Sequence, residues 1–160
     1  MEAYLIATAC TKFEKKADQT FKSLTEEVYC DLLKSAKVEN GNMIGQAWFG
    51  NCGMGTFGQN NIRGQVCFTP LVQKKLFPER VGIINVEGGC ATGSMAFHGA
   101  WKDVISGTED VSLAIGVEKI YQPNQPEKSQ EIYDGGIDQF DRNEWLEFYE
   151  SIGHELGKPF

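Results

Sequence analysis

The sequence has no stretch approaching the roughly 20 consecutive apolar residues that a membrane-spanning helix needs. It also has no basic amino-terminal region followed by a cleavage site, so no export signal is predicted. Basic residues are few: 15 lysines and arginines stand against 22 acidic residues, and the formal net charge is −7. A nucleic-acid partner, whose phosphates require a basic face, is therefore not expected.

Paired-cysteine motifs are absent as well. The five cysteines are odd in number and widely spaced, and none forms a C-x-x-C pair; they are Cys10, Cys30, Cys52, Cys67 and Cys90. This arrangement predicts neither a disulfide framework nor a metal site. We expect instead a reducing compartment of cytoplasmic type, with Cys10, Cys30 and Cys67 in the core and Cys52 in a loop.

The residues that are present suffice for an α/β core. The chain has 160 residues, of which 41% are hydrophobic, and apolar runs of strand length alternate with segments of helical periodicity. Strands are predicted at residues 3–9, 43–51, 81–86 and 111–117, helices at 18–37 and 91–105, and two short helical pieces across 61–75, where a proline interrupts the pattern. Strands alternating with helices imply right-handed crossovers and a largely parallel sheet.

The composition changes after residue 120. Residues 121–139 contain two prolines and many polar residues and are predicted to be a loop, whereas residues 142–156 place their apolar side chains on one helical face. We therefore divide the chain into an α/β domain over residues 1–120 and the start of a loop domain, with one amphipathic helix, over residues 121–160.

The turn after the third predicted strand carries a candidate nucleophile. Residues 87–89, Glu-Gly-Gly, lead from that strand to Cys90, and a helix follows. A Gly-Gly turn lets Cys90 project from the carboxyl end of the sheet, where α/β folds place their ligands. The helix amino terminus favours a thiolate, the reactive form of cysteine. The alternative is that Cys90 fills space as a small buried residue.

Residues 85–97, NVEGGCATGSMAF, resemble the acyl-enzyme cysteine motif of thiolases. The similarity is greatest to the sterol-carrier-protein type, which carries E-G-x-C-[AS]-[ST]-G-S. Three further segments resemble thiolase segments in the same order: YLIATACTKF at 4–13, GQNNIRGQ at 58–65 and DVSLAIGVEK at 110–119. Glu87 and Phe97 depart from the commoner thiolases and indicate a side branch. The resemblance implies the amino-terminal half of a thiolase-like fold, a βαβαβαβ layered sheet.

The resemblance also implies an activity. In thiolases the cysteine attacks a 3-oxoacyl-CoA, so Cys90 is the expected catalytic residue. By the same resemblance, the Cys90 N–H contributes to an oxyanion hole. Coenzyme A is then a substrate or product, and no cofactor is needed. The family's base, its second cysteine in a C-x-G motif and a further oxyanion motif lie in the carboxy-terminal half. The sequence contains no C-x-G, and it assigns no substrate-binding residue.

The two histidines are poor substitutes for the missing groups. His98 follows Cys90 by eight residues on one helix, which separates their Cα atoms by about 12 Å. His154 lies in a G-H-E sequence that lacks the proline of the family's G-H-P turn. We therefore expect an acyltransferase that is inactive as this chain alone, and that works as a homodimer or with a chain supplying the carboxy-terminal half.

Two other interpretations stay open at this point. The first is a non-catalytic thiolase-like subunit with a structural or regulatory role, in which Cys90 is idle. The second is a lyase of the same fold acting on CoA esters. The presence of a nucleophilic cysteine argues against this second interpretation. The resemblance also implies self-association through the strand at residues 81–86, because thiolase-type dimers pair this edge strand across a two-fold axis and an exposed apolar edge would otherwise invite aggregation.

Overall fold

A computed structural model describes residues 2–158 of the chain. Its centre is a three-stranded sheet made of β1 (Gln46–Gly50), β2 (Gly82–Val86) and β3 (Ser112–Gly116). The strand order is β2-β1-β3, and both pairs are parallel, with Gln46 opposite Gly82 and Ser112. The predicted α/β class and the largely parallel sheet are confirmed.

Five α-helices accompany the sheet within the described residues: α1 (Phe21–Ala36), α2 (Arg63–Gln73), α3 (Thr92–Ser106), α4 (Pro126–Asp134) and α5 (Arg142–Glu155). Short 3-10 turns over Gly53–Phe57 and Gly89–Ala91 follow β1 and β2. No helix in residues 2–158 is both long enough and apolar enough to cross a membrane.

Helix α1 has clear local signals at both ends. Thr20 and Ser23 form a capping box, in which each side chain accepts a hydrogen bond from the other residue's backbone N–H. Lys37 adopts the left-handed conformation that ends many helices. Between these caps the helix buries Leu24, Tyr29 and other apolar side chains, so that local sequence and tertiary packing specify the same helix.

The core lies between the sheet and helices α1 and α2. It contains Tyr29, Phe49, Phe68 and Phe77, whose rings meet at steep angles with centroids 4.5–6.2 Å apart. Helix α2 approaches β1 so closely that a Cβ at Gly64 would lie 2.7 Å from the Cβ of Phe49. Only glycine allows this contact.

Helix α3 covers the other face of the sheet. The Asp103 carboxylate accepts hydrogen bonds from Trp48 Nε1 at 2.6 Å and from Ser112 Oγ at 2.7 Å. One side chain of α3 thus joins two neighbouring strands. This contact fixes the position of the helix that begins just after Cys90.

Three of the predicted elements are wrong. Residues 3–9 form no strand, because no backbone hydrogen bond joins them to a neighbouring strand. Residues 63–73 form one helix that continues through Pro70. The missing N–H of Pro70 costs a single intrahelical hydrogen bond, and burial of Phe68 and Leu71 outweighs that loss. Residues 126–134 form α4, which begins at Pro126, the position where proline suits a helix best.

Candidate active site

The carboxyl ends of the three parallel strands meet at one edge of the sheet. Asn51 follows β1, Glu87 follows β2, and Glu118 lies two residues beyond the end of β3. Cys90 lies at the same edge, three residues after Glu87. In parallel α/β folds this edge is the usual place for a ligand.

The turn that carries Cys90 is held by side chains on both sides of it. The Gly88 N–H donates to Thr92 Oγ1 at 2.9 Å, and the Thr92 hydroxyl donates to the Gly89 carbonyl at 2.7 Å. The Gly89 N–H donates to Glu87 Oε1 at 2.6 Å. Gly89 has φ +56°, a conformation that side chains disfavour. The sequence Glu-Gly-Gly-Cys-Ala-Thr therefore specifies one tight turn.

Helix α3 begins directly against the end of β1. A Cβ at Gly50 would lie 3.0 Å from Thr92 Cγ2 and 3.2 Å from the Thr92 carbonyl oxygen. Thr92 is only 6% exposed, so it anchors the turn from beneath. Cys90, in contrast, is exposed. The thiol is thus available to a ligand although the turn below it is fixed.

The backbone donors of this turn are mostly in use. The N–H groups of Gly88, Gly89, Ala91 and Thr92 all donate to acceptors within the turn. The dipole of α3 favours negative charge at this end of the helix. An oxyanion formed beside Cys90 would meet that favourable potential.

A second network, formed by Asn51, supports the same edge. The side chain is 1% exposed; its Nδ2 donates to the Val117 carbonyl at 2.7 Å, and its Oδ1 accepts the Met54 N–H at 2.9 Å. Arg63 Nη1 donates to the Asn51 carbonyl at 2.6 Å. Asn51 thereby ties the end of β1 to β3, to the 3-10 turn and to α2.

Glu118 and Cys52 lie next to this network. The Glu118 carboxylate accepts the Gly53 N–H at 3.1 Å and also the Cys52 N–H. Burial of the carboxyl against these residues raises the pKa of Glu118, although the two hydrogen bonds act in the opposite direction. Partial burial, followed by the charges of Glu87 and Glu118, raises the pKa of the Cys52 thiol. Cys52 is therefore held as the less reactive thiol.

The other cysteines differ in their surroundings. Cys67 is fully buried, and this burial raises its pKa, as expected of a core residue. Cys30 is half-buried. Cys10 is exposed, so its predicted core position is wrong, because the strand that was to bury it does not form.

Neither histidine contributes to the turn in the part of the chain that the structure describes. His98 is exposed and stacks on Trp101, with ring centroids 5.3 Å apart. His154 is exposed in the last turn of α5. Among residues 2–158 no group of three histidine, cysteine or acidic side chains could hold a metal ion.

Sequence reasoning did not identify Asn51, Glu118 or Arg63 as part of this site. A positional signal was present for two of them, since Asn51 ends one predicted strand, Glu118 follows another, and the carboxyl ends of parallel strands converge; their hydrogen-bond partners were not predictable. Arg63 lies in the thiolase-like segment 58–65 but had no assigned role.

Comparison with known proteins gives a consistent result. The family model described as "Thiolase, N-terminal domain" matches residues 3–142. A benzoylsuccinyl-CoA thiolase subunit, BbsB, of Thauera aromatica is 32% identical over 117 residues, which is 73% of this chain and 28% of that protein. An acetyl-CoA acetyltransferase of Methanocaldococcus jannaschii is 32% identical over 117 residues, 72% of this chain and 28% of that protein. The chain thus spans little more than a quarter of the length of these relatives.

Proposed function

The chain belongs to the thiolase family, and we propose that it is the nucleophile-bearing part of an acyltransferase acting on 3-oxoacyl-CoA esters. The observation that carries this proposal is the position of Cys90: exposed, at a fixed turn, beside a helix amino terminus and at the carboxyl edge of the sheet. The names of the two relatives, a thiolase subunit and an acetyltransferase, agree with this chemistry.

In the proposed reaction the Cys90 thiolate attacks the 3-oxo carbon of the substrate. The bond between C2 and C3 then breaks, and its electron pair stays on C2 as the enolate of the departing thioester, which takes up a proton. The acyl group remains on Cys90 as a thioester. The thiol of coenzyme A attacks this thioester and releases a shortened acyl-CoA, and the reverse sequence is a Claisen condensation.

In this proposal the residues of this chain supply the nucleophile and part of the oxyanion hole. The Cys90 N–H is the proposed oxyanion donor from this chain, and Thr92 and Glu87 hold the turn in place. A proton donor for the enolate is needed as well, and neither the C-x-G cysteine nor the G-H-P histidine of the family occurs in this sequence. General acid–base groups contribute about 10² to 10⁴ in rate each. The chain alone should therefore turn over too slowly to detect.

We propose that the carboxy-terminal thiolase motifs, carried by a longer parent chain or by a separate subunit, complete the site, and that β2 pairs with its counterpart across a dimer interface. The relatives' greater length supports this, because the matched region is only 28% of each. Coenzyme A esters are the proposed ligands, the protein needs no cofactor of its own, and cytoplasmic lipid metabolism is the proposed setting.

A steady-state thiolysis assay tests the proposal. Acetoacetyl-CoA and coenzyme A are supplied to the chain alone, to the chain with a polypeptide from the same genome that carries C-x-G and G-H-P, and to the same pair with Cys90→Ser. We expect turnover only from the wild-type pair. Turnover that survives Cys90→Ser would refute the assigned nucleophile, and a stable pair without turnover would favour the non-catalytic role.

A further inference from the structure

The amino-terminal end of helix α3 already has a negative group of its own chain beside it. The Glu87 carboxylate accepts the Gly89 N–H through Oε1 at 2.6 Å. The N–H groups of Gly88, Ala91 and Thr92 donate to other acceptors of the turn. An anionic ligand group would therefore meet a carboxylate at the place where a helix amino terminus ordinarily offers free donors.

This carboxylate lies close to the proposed nucleophile. Gly89 directly precedes Cys90, and backbone bond lengths place the N atom of one residue within about 5 Å of the next Cα. Because Glu87 Oε1 bonds the Gly89 N–H, it lies within about 8 Å of the Cys90 Cα. That separation is comparable with the Debye length of about 8 Å at physiological ionic strength. Salt therefore weakens the field of Glu87 at Cys90 without abolishing it.

A second carboxylate lies at the same edge of the sheet. Glu118 Oε2 accepts the Gly53 N–H at 3.1 Å, and its Oε1 accepts the Cys52 N–H. After partial burial, the charges of Glu87 and Glu118 are the next causes of the raised pKa of the Cys52 thiol, and the opposing effect of Arg63 is smaller. The potential at this part of the edge is thus set by the two carboxylates.

No ion pair neutralises either of these carboxylates within residues 2–158. Two cations close to the edge in sequence have other partners. Arg63 Nη1 donates to the Asn51 carbonyl at 2.6 Å. Lys119 is only 7% exposed, and its Nζ donates to the Tyr121 carbonyl at 3.1 Å and to Gln122 Oε1 at 3.2 Å. Both carboxylates therefore repel an approaching anion.

We propose that Glu87 determines which acyl groups Cys90 accepts, and that these are uncharged acyl groups without a carboxylate near the reacting carbonyl. The proposal rests on the function proposed above. A second carboxylate beside Glu87 would lose hydration and find no free backbone donor, because the Cys90 N–H is assigned to the oxyanion. An alkyl or aromatic acyl group meets no such cost. Glu87 is thus a specificity-determining residue of the site.

Two alkylating agents of different charge test the field of Glu87 without any acyl-CoA. Iodoacetate is anionic and iodoacetamide is neutral, and with both the Cys90 thiolate displaces iodide. Peptide mapping gives the ratio of the two rates at Cys90. A unit charge about 7 Å away in water changes this ratio about threefold. We therefore expect Glu87→Gln, which keeps an acceptor for the Gly89 N–H, to raise the iodoacetate-to-iodoacetamide ratio about threefold or more.

Two controls separate charge from structure. Glu79→Gln removes the same charge at an exposed position before the amino end of β2, so its ratio should equal that of wild type. Raising the salt concentration to about 1 M shortens the Debye length to about 3 Å. The wild-type ratio should then rise toward that of Glu87→Gln, a change that a merely structural role of Glu87 would not produce.

A pair of acyl esters tests the selection itself. Hexanoyl-CoA and adipoyl-CoA have acyl chains of equal length, but the adipoyl chain ends in a carboxylate. The Cys90 thiolate displaces the coenzyme A thiolate from either ester, and intact-mass spectrometry follows the acylated chain. We expect wild type to be acylated faster by hexanoyl-CoA, and Glu87→Gln to narrow the difference about threefold or more.

The outcomes separate this inference from the proposed function. An alkylation ratio that is unchanged in Glu87→Gln, or that changes equally in Glu79→Gln, would overturn the inference even if Cys90 is acylated. Equal acylation of wild type by the two esters would overturn it as well. A shifted alkylation ratio without acylation by either ester would contradict the proposed function and, with it, the assignment of Glu87 to acyl selection.

Discussion

Cys90 is the residue on which the account depends, and its surroundings differ from those of every other cysteine in the chain. It alone combines exposure with a position at a helix amino terminus. Cys52 and Cys67 have pKa values raised by burial, which lowers their thiolate fraction at neutral pH. The relative reactivity of the thiols is therefore a direct consequence of the fold.

We predict that limiting iodoacetamide alkylates Cys90 before Cys52 and Cys67. The reason is that Cys90 is exposed, whereas burial raises the pKa of Cys52 and of Cys67 and so lowers their fraction of the reactive thiolate. Peptide mapping by mass spectrometry identifies the labelled residue. Prior labelling of Cys52, with Cys90 unmodified, would show that the nucleophile has been assigned wrongly.

Asn51 is the residue whose removal should disturb the site edge most. Asn51→Ala leaves the Val117 carbonyl and the Met54 N–H buried without partners, and we expect it to lower the free energy of unfolding by about 2–4 kcal/mol. Urea titration followed by circular dichroism measures this change. Asn42→Ala, at an exposed position, is the control and should change stability little. Equal stability of the two variants would mean that the Asn51 network contributes nothing.

The two residues also show what sequence can and cannot identify at this scale. Cys90 was predictable because its chemistry depends on its immediate neighbours, two glycines before it and a helix after it. Asn51 was not, because its side-chain partner Val117 lies 66 residues away and becomes a neighbour only when β1 and β3 pair. The same holds for Glu118, whose partners are at Cys52 and Gly53.

Among the elements, those with local signals were predicted and those that depend on a partner were not. Helix α1 has an apolar period that is visible in the sequence, and the structure adds a capping box formed by two residues close together in the chain. Residues 3–9 have the composition of a strand, but a strand exists only when its backbone pairs with a neighbour. Pro70 misled the prediction for α2 because tertiary burial of Phe68 and Leu71 outweighs one lost hydrogen bond.

Strand β2 lies at the edge of the sheet, and its Ile84 is 38% exposed. We predict that the protein dimerises through this edge in the presence of its companion polypeptide. Ile84→Lys should shift the assembly toward a species of half the mass, because a lysine on an edge strand opposes pairing. Sedimentation at micromolar concentration measures the mass. Phe140→Lys, at a 98% exposed position between α4 and α5, is the control and should leave the dimer intact. A wild-type assembly without a dimer would contradict the prediction.

At the scale of the whole molecule, the sequence contains the proposed nucleophile turn but neither the C-x-G nor the G-H-P motif of the proposed acid–base groups. The region matched to the thiolase amino-terminal domain covers residues 3–142, and the 117 residues aligned with each of the two relatives correspond to 28% of that relative's length. The contacts that hold the turn come from Thr92, Glu87 and Gly50, all within the described residues. Acylation and carbon–carbon cleavage should therefore be separable in this protein.

Transfer of an acetyl group from acetyl-CoA to Cys90 tests this account most directly. In that exchange the thiolate attacks the thioester carbonyl and coenzyme A leaves as a thiolate, so no proton donor at the α-carbon is required. Intact-mass spectrometry of the chain alone, after incubation with acetyl-CoA, should show one added acetyl group. Peptide mapping should locate this group at Cys90, and Cys90→Ser should abolish it. An unmodified chain, or an acetyl group that persists in Cys90→Ser, would contradict the assignment of Cys90 as the acyl-accepting nucleophile.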